Sequence, residues 1–264
     1  MHPILFKIGS LELASYGLMT AVGYAAASFY LYKHLAKIKL DKEVFWNLIF
    51  IAFMGALIGG KLLFIIVSWP QLGDTLAEKI SHIVHDIRYG FVFFGGLIAA
   101  VGALVYYMKK KRLPLLSTSD FLIVGLPLGH AFGRIGCFLA GCCHGRPTDM
   151  PWGVVFTDTH SLVAPELLGV AVHPTQLYES LGNFVIFFIL TTLYARPHKN
   201  GTVLLAYATC YSIMRFIIEF FRGDFRGAYL GGMSPSQLIA LATALLAAGG
   251  WWLLARRKEN NHGN

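Results

Sequence analysis

Long apolar stretches separated by short polar connections dominate the pattern of hydrophobic and polar positions along the chain. An α-helix needs about 20 predominantly apolar residues to cross the hydrocarbon core of a bilayer. Stretches of that length predict seven membrane-spanning helices, near residues 14–33, 44–69, 90–108, 120–141, 175–195, 202–221 and 235–255. The pattern therefore predicts an all-α integral membrane protein, a polytopic bundle of about seven transmembrane helices.

The composition supports this prediction and excludes several other classes of protein. Hydrophobic residues make up 56% of the 264 positions, charged residues make up 14%, and the mean hydropathy is +0.58. A typical soluble domain is about a quarter charged. These values exclude a cytosolic enzyme, a disordered chain and a small secreted module held together by disulfides.

The net charge of +8 would suggest a nucleic-acid partner in a soluble protein, but here the basic residues follow the predicted topology. One set of alternate connections carries 13 Lys and Arg residues, at positions 33, 37, 39, 42, 109–112, 196, 199 and 256–258, and the other set carries six. Cytoplasmic loops hold the excess of Lys and Arg in membrane proteins. We therefore expect an N-terminus outside, a C-terminus in the cytoplasm and no nucleic-acid partner.

The connections give no reason to divide the chain further. The first apolar run is as long as a span, and its small residues at positions 25–27 lie in its middle, so we predict no cleaved signal peptide. One outer connection, near residues 143–173, is long and rich in turn-forming residues, which is typical of a functional loop. We predict a single integral-membrane domain over residues 1–264 with this outer loop.

Three basic residues fall inside predicted spans, where a charge is costly and often marks a site: Lys61, Arg134 and Arg215. Arg134 follows glycines at 125, 129 and 133, whose four-residue spacing leaves one helix face open to another backbone. Its guanidinium can donate a fork of hydrogen bonds to a phosphodiester, pair with a carboxylate, or reach the membrane interface. The first of these interpretations predicts a phosphate-binding site.

A charged row occupies the sixth predicted span. Tyr211, Arg215 and Glu219 are four residues apart and share one helix face, and Arg222 lies nearly in line. An internal ion pair between Arg215 and Glu219 would offset part of the energetic cost of placing both charges in the membrane, and it would need no function. We favour a site, because such a row on an apolar helix should face a polar cavity.

Two further positions lie at the predicted outer ends of spans. His173 precedes the fifth span and could cap the helix, bridge hydrogen bonds or act as a base. Tyr16 places a phenol at the same level in the first span, where an interfacial tyrosine is common.

A cysteine-rich segment follows Arg134 and contains Cys137, Cys142, Cys143 and His144. The spacing C-x4-C-C-H is not a common zinc pattern, because adjacent cysteines rarely ligate one ion as well as a C-x2-C pair. A disulfide would require an oxidising compartment, and packing by small apolar side chains is an alternative. We expect these cysteines to be structural and to bind no metal.

Together these residues resemble the prolipoprotein diacylglyceryl transferase family. The Gly-Arg-x-Gly block is the family's signature, and the resemblance covers almost the whole chain. The matching segments, in the family's order, are Ser15-Tyr16-Gly17-Leu18-Met19, Gly59-Gly60-Lys61, Gly95-Gly96-Leu97-Ile98, Gly133-Arg134-Ile135-Gly136 through Gly145, His173-Pro174-Thr175-Gln176-Leu177-Tyr178-Glu179, and Tyr211 to Arg222 with Arg215 and Glu219.

The resemblance implies an enzyme of the bacterial inner membrane that acts near the outer leaflet. It implies transfer of the diacylglyceryl group of phosphatidylglycerol to the lipobox cysteine of a preprolipoprotein, forming a thioether and releasing glycerol 1-phosphate. It also assigns the lipid headgroup to Arg134 and Arg215, with Tyr16, Gly145, Tyr211 and Glu219 as further substrate-binding positions. Attack of a thiolate on the glyceryl carbon, with arginines stabilising the departing phosphate, requires neither a metal nor an organic cofactor.

Three positions depart from the family pattern. Phe94 stands where the family usually has a histidine before its Gly-Gly pair. Cys137 replaces a frequent asparagine, and Cys142 replaces a frequent acidic residue. Because the histidine proposed as the family's base is missing, either another group takes the thiol proton or the reaction needs no side chain dedicated to it. A nearby cationic cluster could itself favour the thiolate.

We take His173 as the residue that assists thiol deprotonation or orients a neighbouring group, with His144 and His130 as reserves. Two other functions remain compatible with the sequence. One is a paralogue that uses phosphatidylglycerol with a different acceptor. The other is a non-enzymatic carrier or channel, since arginines inside membranes also line ion pathways. Against the carrier, no repeat of broken helices is visible.

Overall fold

A computed structural model of the chain describes residues 2–8, 11–85, 90–224 and 231–256. These residues form eight α-helices: α1 (Ser15–Lys33), α2 (Lys42–Ser68), α3 (Leu76–His85), α4 (Phe93–Lys110), α5 (Leu115–Ala140), α6 (Thr175–Ala195), α7 (Thr202–Glu219) and α8 (Pro235–Arg256). Two antiparallel strand pairs accompany them: β1 (Ile4–Ile8) with β2 (Leu11–Ala14), and β3 (Val154–Val155) with β4 (Ala171–Val172). Short 3-10 helices cover Leu35–Ile38, Trp69–Gln71 and Pro165–Leu167.

Six helices are long and apolar enough to cross a membrane: α2 with its extension to Gln71, α4, α5, α6, α7 and α8. They match six of the predicted spans to within a few residues. The remaining predicted span coincides with α1, which has 19 residues, four of them tyrosine. The expected polytopic, helical membrane protein is thus confirmed, and the count of seven spans stays a prediction.

The sequence pattern predicted neither the strand pairs nor α3. The β1–β2 hairpin precedes α1, and α3 lies in the connection between α2 and α4. Helix α3 has 10 residues, too few to cross a bilayer, so a search for spans passes over it. Its apolar residues Leu76, Ile80 and Val84 recur every four positions and are all exposed.

The helices form two compact units, and residues 34–118 make up one of them. Helices α2 and α4 pack closely within this unit because small residues line their contact. A Cβ atom on Gly55 would lie 2.8 Å from Cα of Ala100, and one on Gly96 would lie 2.7 Å from the carbonyl oxygen of Ala56. Such contacts are typical of helix packing in membranes.

Lys61, one of the three basic residues within predicted spans, belongs to this unit. Its Nζ atom lies 5.3 Å from the ring centre of Phe64 and 5.6 Å from that of Phe91. An ammonium group over aromatic faces gains cation–π attraction, which offsets part of the cost of its partial burial.

Residues 1–33 and 119–264 make up the other unit, whose core lies between α5, α6 and α7. The buried core residues are Val124, Ile186, Phe187, Leu190, Val203 and Ala206. Helix α5 also crosses α1 closely, since a Cβ on Gly23 would lie 2.7 Å from the carbonyl oxygen of Gly129. The predicted glycine face therefore packs against a helix at Gly129, whereas a Cβ on Gly133 would meet no described atom within 4 Å.

Asp120 of α5 ties this helix to the beginning of α7. Its buried carboxylate accepts hydrogen bonds from the backbone nitrogens of Gly201 at 2.6 Å and Leu204 at 2.8 Å. These N–H groups have no partner within their own helix, so a carboxylate stabilises them as a cap. The contact fixes α7 beside α5, and with it the helix that carries Arg215 beside the helix that carries Arg134.

Candidate active site

Glu179 of α6 lies at the centre of a buried group of charges, which we call the Glu179 network (His130, Arg134, Glu179 and Arg222). Its side chain has no exposed surface. Atom Oε1 lies 3.0 Å from the guanidinium of Arg134 and 3.6 Å from the ring of His130, and Oε2 lies 3.6 Å from Arg222. Burial of an unpaired carboxylate costs several kcal/mol, so these partners explain how Glu179 is accommodated.

Helix α5 supplies two members of this network from one face. Nε of Arg134 donates a hydrogen bond to Nε2 of His130, one turn earlier, at 3.1 Å. A ring nitrogen that accepts a hydrogen bond carries no proton, so His130 is the neutral tautomer protonated at Nδ1. The ring centre of His130 also lies 5.6 Å from that of Tyr211 on α7.

The charged row of α7 makes the ion pair that the sequence left as an alternative. Arg215 and Glu219 pair directly, and the start of α8 joins them through two hydroxyl groups. Arg215 donates to Oγ of Ser236 at 3.0 Å, and Oγ of Ser234 donates to Glu219 at 2.8 Å. The positive charge of Arg215 also acts on Glu179, so the row of α7 and the Glu179 network are electrostatically linked.

Arg222 lies just beyond α7 and is almost completely buried, with 2% of its side chain exposed. It donates two hydrogen bonds of 2.8 Å to the carboxylate of Asp224. The charge count assigned Arg222 to an outer connection, but its side chain points into the protein toward Glu179 rather than into water.

Gly145 joins the outer loop to the ends of α6 and α7. Its backbone nitrogen donates to the carbonyl oxygen of His173 at 2.9 Å, and Arg146 donates in the same way to Phe221 at 3.0 Å. A Cβ atom on Gly145 would lie 2.5 Å from both Cβ and the carbonyl oxygen of His173. A residue larger than glycine therefore cannot occupy this position without moving the backbone around it.

His173 lies at the edge of the site. Its Nδ1 lies 3.2 Å from the hydroxyl of Tyr178, and its ring centre lies 5.3 Å from that of Phe221. Burial, followed by the positive charge of Arg146, lowers the pKa of His173. The imidazole is therefore neutral at pH 7 and able to accept a proton.

The two reserve histidines differ in their surroundings. His130 contacts Arg134 and Glu179 directly. His144 is buried, and its Nδ1 lies 3.0 Å from the carbonyl oxygen of Gly145. Of these histidines, His130 has the contacts closest to the charged centre.

Tyr16 lies in the first turn of α1, beside the C-terminal end of α5, which carries Arg134. A Cβ atom on Gly136, two residues beyond Arg134, would lie 3.2 Å from Cα of Tyr16. The side chain of Tyr16 is 49% exposed. The tyrosine is thus next to the signature segment and open to molecules that approach from outside the protein.

Three cysteines beside the network form what we call the thiol cluster (Cys137, Cys142 and Cys143). Their sulfur atoms all lie within 4.8 Å of one another, and none of them forms a disulfide among the described residues. Thr175 and Gln176, at the start of α6, donate hydrogen bonds to the carbonyl oxygens of Cys143 and Cys142 at 2.9 and 2.7 Å. The segment after α5 is therefore held by α6.

The thiols of this cluster differ in acidity. Hydrogen bonds with Cys137 and Cys142, and then the positive charges of Arg134 and Arg222, lower the pKa of Cys143. Hydrogen bonds with Cys137 and Cys143 raise the pKa of Cys142. Of the three thiols, Cys143 is therefore the one whose thiolate form these contacts favour.

Comparison with known proteins identifies the family. The family described as prolipoprotein diacylglyceryl transferase matches residues 3–253. The chain belongs to this family. The phosphatidylglycerol–prolipoprotein diacylglyceryl transferase of Clostridium tetani is 37% identical over 93% of this chain and 95% of its own length. The enzyme of that name from Pseudoalteromonas atlantica is 33% identical over 91% of this chain and 84% of its own.

Within this family fold, sequence reasoning missed two central residues of the site. Glu179 was quoted only as part of a matching segment, and Arg222 was placed nearly in line with the charged row of α7 without being given a role. The partner that makes each of them central lies on another helix, so the pattern along one helix did not show it. Ser234 and Ser236 carry no comparable signal, because only the packing of α7 and α8 brings them to the charged row.

Proposed function

We propose that this protein transfers the diacylglyceryl group of phosphatidylglycerol to the lipobox cysteine of preprolipoproteins, which is the activity that the names of its relatives describe. The observation that carries the proposal is the placement of Arg134 and Arg222 on opposite oxygens of one buried carboxylate, with Arg215 in electrostatic reach. Three guanidinium groups around one point suit a ligand with a phosphodiester and a polar headgroup.

Arg134 and Arg215 bind the lipid headgroup in this proposal. The oxygens of Glu179 accept no aligned hydrogen bond within the described part of the chain, so charge attraction rather than directional bonding holds Arg134. A guanidinium has five N–H donors. Arg134 therefore stays in place through its ion pair and its bond to His130 while further donors remain to bind phosphate oxygens.

The reaction is attack of the acceptor's thiolate on the glyceryl carbon that bears the phosphate ester. A C–S bond forms, the C–O bond breaks, and glycerol 1-phosphate leaves with the electron pair. Charge on the departing oxygen rises in the transition state, and arginines already in position stabilise it without reorganisation. His173 accepts the thiol proton, and Tyr16, Gly145, Tyr211 and Glu219 shape the binding site.

The membrane arrangement follows from the charge count. We propose seven spans with the N-terminus outside and the C-terminus in the cytoplasm of a bacterial inner membrane, and the site toward the outer leaflet. Both compact units then belong to one integral-membrane transferase domain. Reporter fusions after residues 40, 113 and 198 should give cytoplasmic signals, and a fusion in the 143–173 loop should give an outer signal.

A transfer assay tests the proposed activity. The purified full chain in detergent receives phosphatidylglycerol and a synthetic lipobox peptide, and the products are measured by mass spectrometry. We expect lipidated peptide and glycerol 1-phosphate in equal amounts, and no product from a peptide with serine in place of the cysteine. Absence of transfer by folded protein would contradict the proposal. Passage of lipid across proteoliposomes without transfer would indicate the carrier instead.

A further inference from the structure

The three sulfurs of the thiol cluster lie close together, which the spacing of the cysteines in the sequence does not predict. Adjacent cysteines rarely ligate one ion, which is why the spacing argued against a metal. Here Cys143 adopts a positive φ of 61° at the chain reversal after α5, a conformation that is uncommon for residues other than glycine. In this turn the sulfurs of Cys142 and Cys143 lie within 4.8 Å of each other and of Cys137.

These separations are close to those of a zinc site. A Zn–S distance of about 2.3 Å and tetrahedral angles place sulfur ligands roughly 3.8 Å apart. No two of these sulfurs are more than 4.8 Å apart, so each pair has to close by about 1 Å or less to reach that spacing. Sites with three protein ligands leave the fourth position of the ion for water or substrate, which is the arrangement of catalytic rather than structural zinc.

The charges around the cluster suit this ion as well. Three thiolates with one Zn2+ carry a net negative charge, and the positively charged Arg134 lies about one turn before Cys137 on α5. Next to Cys142, the side chain of Gln176 is fully buried, and its Oε1 accepts no hydrogen bond from the described residues. The amide nitrogen of Gln176 bonds to the carbonyl oxygen of Cys142, so this oxygen lies beside the cluster without a donor from the described residues.

We propose that Cys137, Cys142 and Cys143 bind one Zn2+ ion whose fourth position receives the acceptor's cysteine thiol. The identity of that thiol rests on the proposed function. Coordination to zinc deprotonates a thiol at neutral pH, and the thiolate is the form that attacks carbon. The site thus performs the step for which Phe94 leaves no histidine at the usual position.

In the reaction, the acceptor thiol displaces water from the ion. Its proton passes to His173 and then to bulk water. The sulfur's electron pair forms the C–S bond to the glyceryl carbon, and the C–O electron pair leaves on glycerol 1-phosphate. The thioether is a weaker ligand than a thiolate and leaves the ion, so water returns to the fourth position.

A metal titration tests the site without measuring lipid transfer. The metal-free full chain is titrated with Zn2+, and with Cd2+ to follow the ultraviolet thiolate-to-metal charge-transfer band. We expect one ion per chain, and an affinity lower by about 100-fold or more in each of Cys137→Ser, Cys142→Ser and Cys143→Ser. Cys210→Ser is the matched control, since Cys210 on α7 is outside the cluster, and it should bind as the unaltered chain does. Absence of a stoichiometric ion, or binding that survives the cluster substitutions, would overturn the proposal.

A second measurement tests the fourth position. A lipobox peptide should strengthen the cadmium band, whereas its serine analogue should not, and an unchanged band overturns the acceptor's place on the ion. In the transfer assay, a chelator should abolish turnover and Zn2+ should restore it where Mg2+ does not. Full transfer by the metal-free chain would overturn this inference and leave the proposed function intact. A normal cadmium response in a chain that never transfers lipid would remove the proposed function instead.

Discussion

The guanidinium of Arg134 lies 3.0 Å from the carboxylate of Glu179, and the contact joins α5 to α6 across the interior of one compact unit. Arg134 is also held by His130 one turn earlier on α5, and Glu179 also faces Arg222 beyond the end of α7. The pair therefore places a guanidinium before any lipid arrives. Lipid phosphate carries the same charge as Glu179, so under the proposed function the two anions would share or compete for the same arginines.

Replacement of Glu179 by glutamine should show whether lipid phosphate takes the place of Glu179 as counter-ion of the arginines. The change keeps the shape and removes the charge, so Arg134 and Arg222 lose a shared buried counter-ion. Loss of one partner of a buried pair costs about 3–5 kcal/mol. We expect a clear fall in the melting temperature of the detergent-solubilised chain. Phosphatidylglycerol should restore more stability to Glu179→Gln than to the unaltered chain, because its phosphate supplies the missing charge.

The matched control is Glu166→Gln in the outer loop, where the carboxylate is exposed. Its melting temperature should stay unchanged with and without lipid. Equal stabilisation of Glu179→Gln and the control by phosphatidylglycerol would show that the phosphate does not reach the Glu179 network.

Gly145→Ala should disrupt the site through packing alone. A methyl group there would lie 2.5 Å from the carbonyl oxygen of His173 and 2.7 Å from that of Phe221, and backbone atoms cannot move aside as a side chain does. We expect loss of most transfer activity together with a lower melting temperature. Gly17→Ala is the control, because a Cβ at that position meets no described atom within 4 Å. Equal activity of the two variants would remove the close approach as the reason for glycine at 145.

His173 gives the chain a defined dependence on pH. Its folded-state pKa lies below the ordinary value of about 6.5, so below pH 6.5 the unfolded chain takes up a proton that the folded chain does not. Stability should therefore decline as pH falls from 7.5 toward 5.5, and less steeply in His173→Gln. Melting curves across this range test the slope, with His160→Gln, at an exposed position, as control.

The same residue is tested for its part in the reaction. If His173 accepts the thiol proton, His173→Ala should transfer lipid more slowly, and the loss should grow as pH falls from 8 to 6. Full activity of His173→Ala over that range would move the role elsewhere. His130 would then be examined first, because it contacts Arg134 and Glu179.

Hydropathy and helical spacing predicted the elements that depend on local sequence. Six spans follow from apolar runs, and the Arg215–Glu219 pair follows from its four-residue separation on one helix face. Helix α3 is too short for a search based on span length to detect it. The close packing of α2 and α4 was not predicted either, although the small residues that permit it are visible in the sequence.

The contacts within the site depend on tertiary packing that no local pattern contains. Glu179 is separated by 45 positions from Arg134 and by 43 from Arg222, and only the folded helices bring the three together. The three sulfurs lie together at a turn where Cys143 has a positive φ, which its sequence context does not indicate. The residue types of the site and the ion pair within α7 were thus predictable, and the partners on other helices were not.

Arg134 and Arg215 carry the most direct prediction for the reaction. If both stabilise charge that develops on the departing phosphate, replacing either by lysine should reduce kcat more than it raises KM. Loss of one charged donor in a dry site costs about 3 kcal/mol, roughly a hundredfold in rate. Lysine keeps the positive charge but loses the planar fork that holds two oxygens at once, so it should restore little of the activity. Arg196→Lys, on an exposed arginine beyond α6, is the control and should transfer lipid normally. Near-normal turnover by both Arg134→Lys and Arg215→Lys in the phosphatidylglycerol assay would show that charge alone suffices, and the two-helix clamp on the phosphate would be wrong.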